Sequence, residues 1–461
     1  MATNAELGRM PGVRVKEILN ADLGVTSPQF RIAGLVSTSF TELLKRDIVI
    51  TRGSEDSDTI PGFEADEIKS VECVSPYQEA YGTQRVKYTK DTDYTVSQNT
   101  ITWTVAGKAK VVEGTKYYVT ATIEKKSASF FEPIEMTDYS QVKAEYGQEY
   151  DPSTDTVNPM VSLAKVMFNA GVKRLVCVQA KQDTKDSYTE AIKKLEEVDL
   201  QYLLCAGNNT AGVNEALLTH VVDMSTIENS MNRIGFTAPK DNDAEVADII
   251  SAANALKSQD MVLVAPGKVL VLVEDGQGNS YQKWVSGIYG AAAIIGMLCN
   301  PNRRLATPLT RKDVTAYGIL DTATHYKKQD IEKMAENGVT VLIQRKSYNN
   351  IVINQGLTTD NTNYGSYYLN VVCCKFEVAR LLKEDLDNGW IGTELLSTTL
   401  SLLHAHIVSV LDGFKGIYLN DYKDLSVSRD AVVPTKVNVS FKMSSIFALD
   451  YIDLSFSVYV D

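Results

Sequence analysis

The chain has 461 residues, 44% of them hydrophobic and 23% charged, and a formal net charge of −12 from 58 acidic and 46 basic side chains. That length and composition suit a globular protein of about three domains with a sizeable core. The acidic balance argues against a nucleic-acid surface, which needs clustered Lys and Arg.

Met1–Met10 lacks the basic and apolar regions of a signal peptide, and the longest uncharged run, Trp284–Cys299, is too short and glycine-rich for a membrane span. Cys73, Cys177, Cys205, Cys299, Cys373 and Cys374 are scattered without metal-ligand spacing and read as reduced thiols of a cytoplasmic product.

Pro11-Gly12 is a turn signal, followed by Val13, Val15 and Ile18 among charged residues. The pattern predicts a strand too short to be stable alone, so residues 1–28 read as an arm that must borrow a sheet. Phe30–Val36 and Asp47–Thr51 read as core strands. The acidic stretch Glu55, Asp56, Asp58, Glu64, Asp66 and Glu67 reads as a solvated linker or domain edge. Arg85–Thr89, Tyr94–Val96, Thr100–Val105 and Lys116–Ile123 are short runs rich in Tyr, Thr and Val, separated by turn-like segments that include Ala106–Gly114. They predict a small β-sandwich or barrel inserted at residues 60–125.

From Phe130 strands and helices alternate. Leu163–Ala170, Ser187–Glu197, Val213–Met224, Ala244–Leu256 and Lys327–Asn337 carry helical spacing, while Arg174–Val178, Gln201–Cys205, Met261–Ala265, Val269–Val273 and Val339–Gln344 read as strands. Such alternation implies helices on a largely parallel sheet, here residues 29–59 and 126–350. Residues 351–461 hold two long helices, Tyr367–Leu386 and Thr393–Leu411, with Gly413 where a cap belongs. The first has Val371, Cys374, Val378, Leu381 and Leu382 on one face and Glu377, Arg380, Lys383, Glu384 and Asp387 on the other. Two alternating runs close the chain: Val437, Val439, Phe441, Met443, then Ile452, Leu454, Phe456, Val458, Val460. The second is a half-buried strand by pattern, and an edge liability unless it is paired. It pairs either within its own domain or with another chain; the second reading is favoured.

No motif in the sequence carries a recognisable chemistry. Gly207-Asn-Asn-Thr-Ala-Gly212 has Val213 and Asn214 where a phosphate loop needs Lys and Ser or Thr, so it reads as a helix-opening turn. Gly287, Gly290 and Gly296 suit close packing better than a dinucleotide fingerprint. His404 and His406 fall on opposite sides of a helix, and His220 and His325 lack partners nearby in sequence. No catalytic residue, cofactor site or metal site is assigned.

The order of segments carries a resemblance. Pro11-Gly-Val-Arg-Val-Lys-Glu17 is similar to the Pro-Gly-Val-x-Val-x-Glu opening of contractile-tail sheath proteins, which coat phage tails, R-type bacteriocins and related injection machines. Arg31–Val36, Phe131-Glu-Pro-Ile-Glu-Met-Thr-Asp-Tyr, Asn158–Val178, Ser286-Gly-Ile-Tyr-Gly290, Asn337-Gly-Val-Thr-Val341, Leu386-Asp-Asn-Gly-Trp-Ile-Gly392 and Ile452–Val460 resemble later family segments in the same order. Ala291–Met297 departs from it, replacing a more polar stretch.

The resemblance implies an α/β sheath core of α+β multidomain type, with an inserted β-rich peripheral domain and extended N- and C-terminal strands. It implies stacked helical rings of this subunit around a tail tube, contracting to drive the tube through a target cell envelope. Tube, baseplate and tail terminator proteins would be the partners, without nucleic acid or membrane insertion. The place would be a virion tail or bacteriocin-like particle, assembled in the host cytoplasm. Val13, Val15, Ile18, Ile452, Leu454, Phe456, Val458 and Val460 are then expected to exchange strands between subunits, hinged on tethers at Asn20–Pro28 and Asp421–Val433. The helix bearing Lys375, Glu377, Arg380, Lys383 and Glu384 is expected to face the tube, although those spacings also suit ordinary helix-surface pairs. Two other readings stand beside this one: a cytoplasmic α/β enzyme with an accessory β domain, and another tail or baseplate component.

Overall fold

A computed structural model describes residues 31–39, 43–63, 65, 68–78, 80, 83–124, 130–345, 350–450 and 452–456. The chain opens with β1 (Ile32–Ser37), β2 (Leu43–Thr51), β3 (Ser57–Thr59), β4 (Ile68–Ser75), β5 (Tyr94–Ser97), β6 (Thr100–Trp103), α1 (Val105–Lys110) and β7 (Lys116–Glu124). Next come β8 (Ile134–Met136), α2 (Tyr139–Tyr146), β9 (Tyr150–Asp151), β10 (Thr156–Val157), α3 (Pro159–Ala170), β11 (Arg174–Gln179), α4 (Lys185–Lys193), β12 (Tyr202–Cys205), α5 (Val213–Met224), β13 (Ile234–Thr237), α6 (Val246–Leu256) and β14 (Met261–Ala265). Then follow β15 (Lys268–Glu274), β16 (Ser280–Ser286), α7 (Ile288–Cys299), β17 (Ile319–Thr322), α8 (Lys328–Glu336), β18 (Val339–Arg345), β19 (Asn350–Ile353), α9 (Tyr364–Tyr367), α10 (Leu369–Gly389), α11 (Ser397–Phe414), β20 (Tyr422–Arg429) and β21 (Val437–Met443).

The central sheet has the order β19-β18-β14-β13-β12-β1-β11-β8. Its six inner strands are parallel, with β8 and β19 antiparallel at the two edges. Successive side chains leave a strand on opposite faces, so each buried strand feeds two cores. Leu175 and Cys177 of β11, and Tyr202 and Leu204 of β12, join one core with α3, α7 and α10. Val176, Val178, Leu203 and Cys205 join the other with α4, α5, α6 and α8. Burial on both faces is why these strands read as unbroken apolar runs.

Helix α7 is buried along its whole length and touches α3 through Gly296, where an added Cβ would lie 2.3 Å from Ala170 Cβ. Close packing, as expected, is the use of that glycine. Val269–Val273 is a strand but lies outside the central sheet, in the antiparallel sheet β16-β15-β17. All six cysteines are free and buried.

A third core is local to the early β segment. Two three-stranded sheets, β2-β7-β4 and β3-β6-β5, enclose Ile50, Ile60, Tyr94, Ile101, Trp103, Tyr117 and Val119. Four expectations change here. Asp47–Thr51 is not a strand of the central sheet: β2 pairs with β7 along its full length. Arg85–Thr89 forms no ladder, and the stretch after Trp103 contains α1, started by the Thr104 side chain accepting from Gly107 N–H. Asp58 is not solvated. It is buried and accepts from Arg52 Nη1 (3.2 Å), Gly53 N (2.8 Å), Trp103 Nε1 (2.9 Å) and the Tyr117 hydroxyl (2.8 Å). Burial pushes its carboxyl up, but these donors outweigh that and hold it below the ordinary range.

Among the described residues no helix is long and apolar enough to cross a membrane.

Candidate assembly surface

The last described elements form an incomplete sheet. β20 and β21 pair antiparallel, from Tyr422↔Met443 to Arg429↔Val437, with a bulge between Lys423 and Ser426. Tyr422, Leu425, Val427, Val437, Phe441 and Met443 pack onto the first core. Among the described residues this sheet has only two strands, so both outer edges keep unpaired backbone groups. The tether expected at Asp421–Val433 is therefore corrected: most of it is strand β20, whose alternation is half polar and so weak in sequence.

Past β21 the chain runs without regular secondary structure along the subunit to Asp450. Ile452, Leu454 and Phe456 then stand 77%, 82% and 82% exposed and pair with nothing among the described residues. Val13, Val15, Ile18, Val458 and Val460 lie outside the described residues.

The five charges expected on one open face of α10 do not share it. Lys375 is buried and its Nζ donates to Gln259 Oε1 at 2.8 Å. Glu377 is buried too, with Oε1 3.6 Å from Arg31 Nε and 3.2 Å from Arg380 Nη2. Arg31 sits just ahead of β1 and also donates from Nη1 to Leu298 O at 3.2 Å. Burial works against its charge, while Tyr202 and Glu377 raise it, and the net shift is upward. Glu377 thus serves the interior because its partner arrives from the far end of the chain, which helix spacing alone does not reveal. Arg380 reaches outward to Glu384 (3.8 Å), and Lys383 Nζ donates to Ser230 O at 3.4 Å. Only Arg380, Lys383 and Glu384 lie toward the surface.

His406 on α11 lies 2.6 Å from Asp385 on α10, tying the two helices together. Among the described residues no group of three or more His, Cys, Asp or Glu could hold a metal ion. An open cleft of about 740 Å³ lies beside the start of α4, lined by Phe130, Phe131, Lys181, Thr184 and Asp186 among others.

No family model and no curated protein matches the sequence. Solved structures do. A chain of the anti-feeding prophage baseplate matches with a TM-score of 0.57 at 10% identity, over 98% of this chain and 99% of that one. The helical sheath of the anti-feeding prophage in its contracted state gives 0.56 at 10% identity, over 98% and 99%. The PVC sheath complex of an extracellular contractile injection system, also contracted, gives 0.54 at 10% identity, over 98% and 98%.

The chain has the fold of a contractile sheath protein. That fold runs through the central sheet, α10, α11 and the β20–β21 hairpin alike, since nearly the whole chain is covered. Among the described residues, the open hairpin edges and the exposed apolar segment are features without partners.

Proposed function

We propose that this chain is the structural subunit of a contractile tail sheath. Copies stack as helical rings around a tail tube and contract to drive it through a target cell envelope. The observation that carries this reading is the exposed segment bearing Ile452, Leu454 and Phe456, on a fold matched over 98% of its length by contracted sheath chains. An alternating apolar strand is a hazard in a soluble monomer and an asset in a polymer. Added to the free edge of a neighbour's β20–β21 hairpin, it would gain backbone hydrogen bonds and place alternate side chains in fixed register. The arm with Val13, Val15 and Ile18 is assigned to the remaining edge.

Such a contact is heterologous, so it propagates instead of closing into a dimer. Strand links let subunits rotate during contraction without parting, and the stored energy is that of a metastable packing. Arg380, Lys383 and Glu384 remain the tube-facing candidates, with Lys375 and Glu377 holding their helix in place. The early β segment, extended from residues 60–125 to include β2 and β3, is read as a peripheral, outward-facing module. Baseplate and tail terminator proteins would bound the polymer, within a virion tail or bacteriocin-like particle.

Electron microscopy of the protein, alone and co-expressed with its neighbouring genes, tests the reading. Hollow striated tubes are expected. Isolated rings that do not propagate would favour a baseplate component, a reading prompted by the baseplate match. A small uniform oligomer that binds a nucleotide would favour an enzyme.

A further inference from the structure

Between the end of β21 and the exposed segment, seven residues are fastened to the body of the subunit at four points. Ser444 is buried, and its N–H donates to Asp421 O at 3.3 Å. The buried side chain of Asn370, in the first turn of α10, donates from Nδ2 to Ile446 O at 2.7 Å. The Phe447 ring meets Tyr368 edge-on at 5.7 Å and Tyr364 at 6.4 Å. Asp450 is held at both oxygens: Thr310 Oγ1 donates to Oδ1 at 3.0 Å, and Gln355 Nε2 donates to Oδ2 at 2.9 Å. The two donors come from separate connections, one between α7 and β17 and one after β19. Two donors from different segments fix both the position and the plane of the carboxylate.

We propose that Asp450 is a clasp that sets where, and in which register, the terminal strand leaves the subunit. The inference rests on the strand-exchange reading above. Asp450 is half-buried between exposed neighbours: Leu449 is 79% and Ile452 77% exposed, so the carboxylate is the point at which the chain is held there. Register is the physical need. A strand advances about 3.3 Å per residue, and a slip of one residue turns its apolar face outward. A tail released back to Phe447, the next fastening point, would gain three residues of slack, roughly 10 Å, enough to permit a shift of register. Held at Asp450, the strand starts from one place, and once extended it presents Ile452, Leu454 and Phe456 on a common side. Asp450 is a positioning residue: it does not enter the exchanged strand itself.

The test compares Asp450→Ala, Asp450→Asn and Thr310→Val with the unaltered full chain. Limited chymotryptic cleavage at residues 447–451 is read in the unassembled subunit, and tube formation by electron microscopy. Asp450→Ala is expected to keep a cooperative melt, to speed chymotryptic cleavage after Phe447 or Leu449 about tenfold or more, and to lose regular tubes. Asp450→Asn should restore both, because its oxygen accepts from Thr310 and its amide can donate to a turned Gln355 side chain. Thr310→Val removes one arm of the clasp from the body side and should act in the same direction, which keeps the test decisive if Asp450→Ala fails to fold. One residue inserted directly after Asp450 should block assembly, and two should restore it. Unchanged cleavage and normal tubes in both Asp450→Ala and Thr310→Val overturn the clasp while leaving strand exchange standing. Normal tubes after deletion of Ile452–Asp461 overturn strand exchange and the clasp with it.

Discussion

Arg31 and Glu377 stand 346 positions apart in the chain, and their Nε and Oε1 atoms meet at 3.6 Å with both side chains buried. The pair joins the start of the central strand β1 to the long helix α10, and so couples the central sheet to the carboxy-terminal elements. Removing one partner of a buried ion pair strands the other in low dielectric, at a cost of about 3–5 kcal/mol. Glu377→Ala should therefore lower the melting temperature of the unassembled subunit by many degrees. Glu384→Lys, on the exposed side of the same helix, should change stability by no more than about 0.5 kcal/mol. Assembly lost in Glu384→Lys would then report an interface, whereas assembly lost in Glu377→Ala would report the fold.

Asp58 organises the small β module. Asp58→Ala leaves the donors of Arg52, Trp103 and Tyr117 buried without an acceptor, at about 1–3 kcal/mol for each one left unmade. The local melt, followed by Trp103 emission in a chain with Trp284 and Trp390 replaced by Phe, should move down before the rest of the molecule unfolds. The sign with pH follows from the depressed carboxyl. Its stabilisation is complete above the unfolded carboxyl range near pH 4, and is lost as pH falls through the lower folded value. In Asp58→Ala that acid dependence should be weaker.

His220 gives a second pH dependence. Arg233 is fully buried and donates to His220 Nε2 at 3.1 Å, to Leu195 O at 2.9 Å and to Val198 O at 3.0 Å. Burial and the neighbouring guanidinium hold the imidazole down at about 3, so it is a neutral acceptor in the folded subunit. The unfolded chain takes up its proton near pH 6.5, hence stability falls as pH drops from there toward 3, by at most about 1.4 kcal/mol per pH unit. His220→Gln keeps an acceptor and should flatten that slope in denaturation curves between pH 6.5 and 4.

Much of the fold was legible because its signals are local. Val213–Met224 and Met261–Ala265 fall where their apolar spacing puts them, and the buried strands announce themselves by length and β-branching. Features that depend on distant partners were not legible. Asp58 sits in an acidic run that looks solvated, and only the folded sheets bring Trp103 and Tyr117 to it. Lys375 and Glu377 carry the spacing of surface charges, and only Gln259 and Arg31 make them interior groups. β20 was missed because Tyr-Lys-Asp-Leu-Ser-Val-Ser-Arg alternates imperfectly across a bulge. Asp450 carried no signal beyond its carboxylate. Of the assembly surface, the terminal alternation was readable, while the hairpin edge beside it required the fold.

Deletion of Ile452–Asp461 separates strand exchange between subunits from pairing within one subunit. The truncated chain keeps β20, β21 and the segment to Asp450, so strand exchange requires a soluble, cooperatively folding subunit that forms no tubes under conditions where the full chain does. Adding the missing strand back as a separate peptide should protect hairpin amides from exchange. A truncated chain that unfolds or aggregates would show the strand to belong to its own subunit, and one that still polymerises into striated tubes would contradict strand exchange outright.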